Sequence, residues 1–342
     1  GGGVGRRLPS PMRVVSLLPS ATEILCSIGG EGLLVGRSHE CDFPPSIIDR
    51  PVLTAQTTRL DPDCPSGATA SIDAAVRERA RAGDALYTVD ALKLAELRPD
   101  LILTQDVCGV CSVGLETVRG IVADMRSGLG LAPEVLSLNP ATVEDVLDDV
   151  LRVGEATGLG EAAVRKTAEL RERLYRAQEF VTPYAEGPVV GFLEWTDPLF
   201  IAGHWTVQLI ERAGGRHPLN ETVARPDAGA AAGPQQGERV AGKSVRAPAE
   251  ALAATRPEAL VIAPCGLSVE QTRRAVEADL RGQGWFEGLP AVRSGRVALV
   301  DGSRMFNRPG PRLAEAFEWL VGWLNGRPEL IPEGFPWEEM GE

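Results

Sequence analysis

The first 140 residues alternate between short apolar runs and segments in which apolar residues recur at helical spacing. Apolar runs of four or five residues are typical of strands buried on both faces of a parallel sheet. Strands that alternate with helices indicate βαβ units and an α/β fold. We therefore predict strands at 14–18, 33–36, 101–104 and 134–138, and helices at 21–28, 70–82 and 90–97.

Local signals mark the ends of the first helix. Ser20 or Thr22 is expected to cap its start, because hydroxyl side chains accept hydrogen bonds from the free N–H groups there. Gly29 and Gly30 are expected to end it. Residues 142–180 also have helical spacing, which predicts a long helical stretch with a break near Gly158 and Gly160.

The α/β pattern starts again after residue 182. It predicts strands at 189–193, 260–263 and 297–300 and helices at 206–212 and 312–324. Residues 224–242 are rich in Ala, Gly, Pro and Gln, which favours a mobile surface loop.

The second half of the chain repeats features of the first. LRPDLILT at 97–104 and TRPEALVI at 255–262 each combine a helix end, an Arg-Pro-acid turn and an apolar strand, and Cys-Gly follows each strand. Several matches in the same order indicate two related lobes with a binding cleft between them. We predict an arm at 1–12, an N-terminal lobe at 13–140, a linking helix at 141–182 and a C-terminal lobe at 183–342.

Composition narrows the function classes. The chain has 342 residues, 44% hydrophobic, which is enough for more than one domain. Its net charge of -12 argues against nucleic acid and anionic membranes as partners. The sequence contains no run of 18 or more apolar residues, so no transmembrane helix is expected. The N-terminus lacks the apolar region of a signal peptide, which favours a cytoplasmic location, or an extracytoplasmic one if a signal was removed.

Candidate chemistry lies in the loops after the predicted strands, because ligands of open parallel sheets bind beyond the carboxyl ends of the strands. These loops contain SHECDFPP at 38–45, TQDVCGVC at 104–111, EWTDP at 194–198 with GHW at 203–205, and PCG at 264–266. The candidate ligand-binding residues are Ser20, His39, Glu40, Cys41, Phe43, Gln105, Asp106, Glu194, Trp195, His204, Trp205 and Cys265.

Thiolate and imidazole groups suit soft and borderline transition metals, and tryptophan offers flat apolar area to a large ring. The loops are therefore suited to a metal-containing macrocycle or to a bare metal ion. The candidate metal ligands are Cys41, Cys108, Cys111, Cys265, His39 and His204. A buried structural role for each cysteine and tryptophan is the alternative interpretation, and a single C-x-x-C without a second one is at best moderate evidence for a structural zinc site.

Motifs for other functions are absent from the sequence. It contains no G-x-G-x-x-G after a strand, no phosphate-binding P-loop and no G-x-S-x-G nucleophile elbow. No residue is singled out as catalytic, so a non-enzymatic binding protein is favoured. An enzyme on the same scaffold stays open, since a fold does not determine a function.

The opening RVVSLLPSATE at 13–23 resembles that of substrate-binding proteins of the cobalamin and ferric-siderophore type. DFPP, LRPDLILTQ, PGPRL and the central helical stretch resemble the same group, over about residues 13–325. SHECD, the C-x-x-C and EW with AGHW resemble its cobalamin-binding subgroup. In that family the loop after the second strand carries an aromatic residue towards the ligand. Here the matching stretch offers His39, Cys41 and Phe43.

The resemblance implies two Rossmann-like lobes joined by a backbone helix, as in class III periplasmic binding proteins. It also implies cobalamin or a related corrinoid as the ligand and an ABC importer as a partner. Our leading hypothesis is a monomeric corrinoid-binding protein for uptake or intracellular handling. The alternative is a zinc- or iron-binding protein, or a metalloenzyme, that uses the cysteines and histidines of the same cleft.

Overall fold

The computed structural model describes residues 11–57, 68–82, 86–106, 113–182, 186–226, 233 and 238–341. Up to residue 139 the strands are β1 (Val14–Ser16), β2 (Leu34–Arg37), β3 (Thr54–Gln56), β4 (Tyr87–Val89), β5 (Leu101–Thr104) and β6 (Glu134–Ser137). The helices of the same stretch are α1 (Pro19–Ser27), α2 (Ala68–Ala82), α3 (Ala91–Leu97) and α4 (Leu115–Leu129).

From residue 140 onward the helices are α5 (Val143–Thr157), α6 (Gly160–Gln178), α7 (His204–Arg212), α8 (Ala249–Ala254), α9 (Val269–Asp279), α10 (Gly284–Glu287), α11 (Pro290–Arg293) and α12 (Leu313–Leu324). The strands are β7 (Val190–Thr196), β8 (Leu199–Ile201), β9 (Val223–Ala224), β10 (Arg239–Val240), β11 (Val245–Arg246), β12 (Ala259–Ile262), β13 (Val297–Val300) and β14 (Trp337–Glu339).

The chain divides into two compact units. The first contains Gly1–Thr57, Ala85–Asn139 and Arg152–Ala163, and the second contains Thr58–Asp84, Pro140–Leu151 and Val164–Glu342. Thus α2, which follows the first three strands along the chain, groups with the second unit. The lobe boundaries, the linking role of the central helices and the inter-lobe cleft stay predictions.

The first unit is built on a parallel sheet of order β2-β1-β5-β6. The apolar runs predicted as strands form it, and residues such as Val15 and Ile102 are fully buried in its core. A separate antiparallel pair, β3 and β4, lies in the same unit. Since all four strands of the main sheet point the same way, their carboxyl ends form one edge, from which the loops after β1, β2, β5 and β6 emerge.

The second unit has a mixed sheet of order β11-β8-β7-β12-β13-β14. Strands β7, β12 and β13 are parallel, whereas β8, β11 and β14 pair antiparallel to their neighbours. Leu193, Leu260 and Phe286 are buried in its core. The segment 224–242, predicted as a loop, begins and ends in the short antiparallel pair β9 and β10. Residues 227–232 and 234–237 within it lie outside the described part of the chain.

The predicted break in the central helical stretch is confirmed at Gly158 and Leu159, between α5 and α6. A Cβ atom built on Gly154 would lie 2.3 Å from the Cβ of Ala163, so the two helices can approach this closely only because residue 154 is glycine. No helix in the described part of the chain has both the length and the apolar character needed to cross a membrane.

The predicted capping of the first helix by Ser20 or Thr22 is wrong. α1 begins at Pro19, before both residues, and its N-cap residue Leu18 makes no side-chain cap. Proline is favoured at the first helical position because its missing N–H needs no partner. The hydroxyl of Thr22 donates instead to the carbonyl of Leu18, at 3.3 Å.

Candidate functional site

The loop after β2 is held in place by Arg37, a residue that our sequence analysis did not select. Its buried guanidinium donates to the carbonyls of Ser38 and Cys41 through Nη1, at 3.2 and 3.0 Å. Nη2 donates to the carbonyl of Ile48, at 2.8 Å. Hydrogen bonds from a charged donor are stronger than neutral ones. The side chains of the SHECD segment are therefore presented by a fixed backbone.

His39 lies in this loop and is partly exposed. Its backbone N–H donates to Thr54 Oγ1 at 3.0 Å, and its Nδ1 lies 2.6 Å from the same oxygen. The ring of Tyr87 is 5.7 Å away, centroid to centroid. Burial, with a smaller contribution from the Arg37 guanidinium, lowers the pKa of His39 below its ordinary value. The imidazole is therefore neutral near pH 7.

The neighbours of His39 differ sharply in accessibility. Glu40 is partly exposed and accepts a long hydrogen bond of 3.4 Å from the hydroxyl of Tyr87. Cys41 is completely buried, and its Sγ lies 3.0 Å from the hydroxyl oxygen of Thr22. Phe43, in contrast, leaves 42% of its surface exposed. The loop thus presents an aromatic ring, an imidazole and a carboxylate outward, and turns its thiol inward.

Other predicted residues of the first unit lie on the neighbouring loops. Ser20 and Gln105 are buried, whereas Asp106 is exposed and donates its backbone N–H to Asn139 Oδ1 at 2.7 Å. Cys108 and Cys111 lie outside the described residues.

In the second unit, Glu194 lies near the carboxyl end of β7, and Cys265 follows the adjacent parallel strand β12. The prediction that Glu194 and Trp195 lie in a loop after the strand is wrong, because pairing with β8 extends β7 to Thr196. The N–H of Cys265 donates to the carbonyl of Glu194 at 3.1 Å, which joins the two loops. The carboxylate of Glu194 accepts from the N–H of Gly203 at 3.3 Å. The side chain of Cys265 is exposed. The structure therefore brings these two predicted residues together at the carboxyl edge of the sheet.

The two predicted tryptophans are anchored by hydrogen bonds. Trp205 is only 9% exposed, and its Nε1 donates to the carbonyl of Phe306 at 2.6 Å. Trp195 is partly exposed, and its Nε1 donates to the carbonyls of Thr69 and Asp197 at 3.2 and 3.1 Å. Trp205 consequently offers little surface to a ligand, and Trp195 offers more.

His204 occupies a strained position at the start of α7. Its φ of 51° lies in the left-handed region, which is unfavourable for a residue other than glycine. The N–H of His204 donates to the carbonyl of Gly242 at 2.8 Å, and its ring lies 5.5 Å from that of Trp205. Burial, followed by the charge of Lys243, lowers the pKa of this imidazole. Strain of this kind often accompanies functional sites.

Sequence reasoning missed the loop after β13. Asn307 Nδ2 donates to the carbonyls of Ala263 and Gly302, both at 2.9 Å, and so ties this loop to the one after β12. Asp301 Oδ1 accepts the N–H of Ser303 at 3.0 Å. The signal was available, because the strand at 297–300 was predicted and its following loop lies at the same edge of the sheet.

Sequence reasoning also missed the polar cluster that anchors α2. The carboxylate of Asp279 accepts from the hydroxyl of Thr196 at 2.7 Å and from that of Thr69. Burial and the neighbouring charge of Asp279 raise the pKa of Asp197. No local sequence signal joins residues so far apart along the chain.

The candidate metal ligands do not form a metal centre within the described residues. There, no three His, Cys, Asp or Glu side chains are grouped as a metal ion would require. Because Cys108 and Cys111 lie outside those residues, the hypothesis of a bare metal ion stays a prediction.

Known proteins resemble this chain in structure, whereas the sequence comparisons found no match. No family model matches the sequence, and no characterised protein matches it by sequence either. The structure is similar to that of a periplasmic heme binding protein from Pseudomonas aeruginosa. The two share 19% identity with a TM-score of 0.66, over 97% of this chain and 99% of that one.

Two solved proteins of Vibrio cholerae are similar to a comparable degree. The periplasmic vitamin B12 binding protein BtuF matches with 17% identity and a TM-score of 0.60, over 93% of this chain and 98% of that one. The periplasmic heme binding protein HutB matches with 16% identity and a TM-score of 0.62, over 92% and 98%. At this identity the likeness shows the fold. The resemblance to substrate-binding proteins of the cobalamin and ferric-siderophore type is therefore confirmed at the level of the fold.

Proposed function

We propose that this chain is a substrate-binding protein that captures a metal-containing tetrapyrrole and delivers it to an ABC importer. The observation that carries the proposal is the likeness of nearly the whole chain to periplasmic proteins that bind heme or vitamin B12. A fold by itself hosts many functions. The choice of ligand therefore depends on the residues at the carboxyl edges of the two sheets.

Those residues suit a large, flat, metal-bearing ligand. In the first unit, Phe43 is exposed and belongs to the same loop as the partly exposed His39 and Glu40. In the second unit, Trp195 near the end of β7 and His204 at the start of α7 are partly exposed. Aromatic surface favours a planar ring, and imidazole favours its metal ion. The SHECD and AGHW segments, which resemble those of cobalamin-binding proteins, favour a corrinoid over heme.

A protein that delivers its ligand to an importer acts on the outer side of the cytoplasmic membrane. The comparison proteins are periplasmic, which supports that location. The cytoplasmic location expected from the N-terminal residues has no support among them. We therefore propose that the chain acts outside the cytoplasm.

Calorimetric titration with cyanocobalamin, and separately with hemin, tests the proposal. We expect saturable one-to-one binding of the corrinoid and weaker binding of hemin. Phe43→Ala should weaken corrinoid binding about 10-fold, the loss expected for one aromatic contact of about 1.4 kcal/mol. Ile48→Ala is the matched control, because Ile48 is 57% exposed in the same segment and should bind as the wild type does. Failure of both ligands to bind would overturn the proposal, and tighter binding of hemin would overturn the choice of a corrinoid.

A further inference from the structure

Two cysteines of the first unit lie near each other, one on α1 and one in the loop after β2. Thr22 and Cys26 are four residues apart on α1, so their side chains share one face of the helix. Cys41 Sγ lies 3.0 Å from the hydroxyl oxygen of Thr22. Helical side chains lean towards the N-terminus of their helix, so the thiol of Cys26 leans towards the turn that Cys41 contacts. Cys41 is therefore packed against the face of α1 that carries Cys26.

The charges that act on Cys26 agree with this arrangement. Burial, and then neighbouring negative charges that include a Cys41 thiolate, raise the pKa of Cys26 to about 12, whereas the charge of Arg50 lowers it. Cys41 and Arg50 both belong to the loop after β2. Arg37 holds that loop through two of its backbone carbonyls, at 3.0 and 2.8 Å. Two residues of one fixed loop thus act on the same helical thiol.

The geometry points to a disulfide between Cys26 and Cys41 that ties α1 to the loop after β2. Both cysteines are in the thiol form in the structure, with Cys26 partly exposed and Cys41 buried. Disulfides form and persist in oxidising compartments outside the cytoplasm. The inference therefore rests on the extracytoplasmic location proposed above, and it adds a covalent modification to the ligand-binding function.

The bond forms by exchange with a disulfide of a small molecule or of another protein, which serves as the oxidant. One cysteine attacks that disulfide and forms a mixed disulfide, which the other cysteine then displaces. Two S–H bonds become one S–S bond, and the two protons and two electrons end on the oxidant, which is released as two thiols. Because burial raises the pKa of Cys26, its thiolate is scarce in the folded protein, and the exchange takes place while the chain folds.

The bond changes what the loop after β2 offers to a ligand. Cys41 is consumed, so it no longer counts among the candidate metal ligands. The partly exposed His39 and the exposed Phe43 are left as the groups that can reach a ligand, on a loop held by a covalent bond as well as by Arg37.

Peptide mapping tests the bond directly, because Arg37 lies between the two cysteines. Trypsin yields the peptides 14–37 and 38–59, each of which contains a single cysteine. The wild type is refolded from urea with glutathione disulfide, its remaining thiols are blocked, and it is digested without reductant. We expect the two peptides joined, at two hydrogen masses below their sum. Recovery of both as blocked thiol peptides, or of 38–59 joined to another peptide, would overturn the inference.

Two variants connect the bond to stability. Cys26→Ser removes it, whereas Cys265→Ser is the matched control, because Cys265 is an exposed cysteine of the second unit. Reductant should raise the equilibrium constant for unfolding about 100-fold more in the wild type and in Cys265→Ser than in Cys26→Ser, as expected for a closed loop of this length. Urea denaturation followed by circular dichroism measures it. An equal effect of reductant on all three proteins would contradict the disulfide.

The bond and the proposed function can fail separately. Joined peptides in a protein that binds neither cyanocobalamin nor hemin would overturn the proposed function and leave the disulfide standing. Separate peptides in a protein that binds a corrinoid would overturn the disulfide alone.

Discussion

The two halves of the chain build the same backbone frame from different residues. In the first half, the N–H of Asp100 donates to the carbonyl of Arg13 at 2.8 Å, and the Asp100 carboxylate accepts the N–H of Arg13 at 2.8 Å. In the second half, Glu258 and Val189 make the corresponding pair of bonds, at 2.8 and 3.2 Å. Each pair fixes the start of a central strand against its neighbour, β5 against β1 and β12 against β7.

The turns of the two halves also match in conformation. Arg98 and Arg256, which precede the prolines of the repeated turn, both adopt the left-handed region, with φ of 43° and 51°. Gly29 and Gly214, which end the first helix of each half, have φ of 84° and 85°. Left-handed arginines are unfavourable, so their occurrence at the same point of both halves supports a duplicated frame.

The halves differ where the first helix begins. In the first half α1 follows β1 closely and starts with Pro19. In the second half the hairpin of β7 and β8 intervenes, and α7 starts after Gly203, which abuts the backbone of Lys243 and Ser244. The pairing of the central parallel strands and the turns before them are therefore repeated, whereas the loops at the carboxyl edges differ between the halves. Those loops carry the candidate ligand residues.

The substitution expected to lower the free energy of unfolding most is Gly203→Ala. A Cβ there would lie 2.0 Å from the backbone nitrogen of Ser244, and backbone cannot move aside as a flexible side chain can. We expect the free energy of unfolding to fall by about 3 kcal/mol. Urea denaturation followed by tryptophan fluorescence measures it, because all six tryptophans lie in the second half.

The matched control is Gly114→Ala at the start of α4. Gly114 is also an N-cap residue, with φ of -63°, and a Cβ there meets no atom of the described residues within 4 Å. We expect a loss below about 1 kcal/mol, measured by circular dichroism. Equal losses in the two variants would show that the close approach at Gly203 is not the cause.

Gly214→Ala and Gly29→Ala should differ less in the free energy of unfolding that each one loses. Both glycines have the same left-handed φ, so each substitution costs about 1 kcal/mol in backbone strain. A Cβ on Gly214 would also lie 2.8 Å from Cγ1 of Val181, whereas one on Gly29 meets no described atom within 4 Å. We expect losses of about 2 and about 1 kcal/mol, measured by chemical denaturation. A larger loss for Gly29→Ala would contradict the steric explanation.

The repeated frame is the part of the fold that the sequence predicts well. Buried parallel strands leave apolar runs, helix ends leave glycines, and both signals are local. The antiparallel strands β8 and β14 were missed because their local signals are weak. β8 is an apolar run of only three residues, and β14 reads Trp-Glu-Glu, so β8 is too short and β14 too polar to be predicted as a strand. Their pairing depends on neighbours distant in the chain.

The sequence predicts which loops form the candidate site, but it does not predict which side chains contact one another there. The position of SHECD after a strand located His39 correctly at a sheet edge. The contact of its Nδ1 with the hydroxyl of Thr54 joins residues fifteen positions apart, and the contact of Cys41 with Thr22 joins residues nineteen positions apart. Trp195 bonds to Thr69 across 126 residues. Such pairings leave no trace in local patterning.

The smallest expected effect is the loss of stability in acid that results from His217, a residue of the second half. This imidazole is buried in the second unit, and its Nδ1 contacts the carbonyl of Val190 at 2.9 Å. Burial lowers the pKa of His217, outweighing the opposite effect of that hydrogen bond. Below about pH 6.5 the unfolded chain therefore binds a proton that the folded chain does not, and the free energy of unfolding falls as pH falls.

The slope from one such group is at most about 1.4 kcal/mol per pH unit. Urea denaturation of wild type and His217→Gln between pH 7.5 and 5.5 should show a shallower pH dependence in the variant, even though the variant is less stable at pH 7.5. Taking the difference between the two proteins removes the contributions of His39 and His204, whose surroundings are unchanged. Since this imidazole lies in the second unit, tryptophan fluorescence should detect the acid effect directly. Parallel pH profiles for the two proteins would show that protonation of His217 is not what couples acid to the stability of that half.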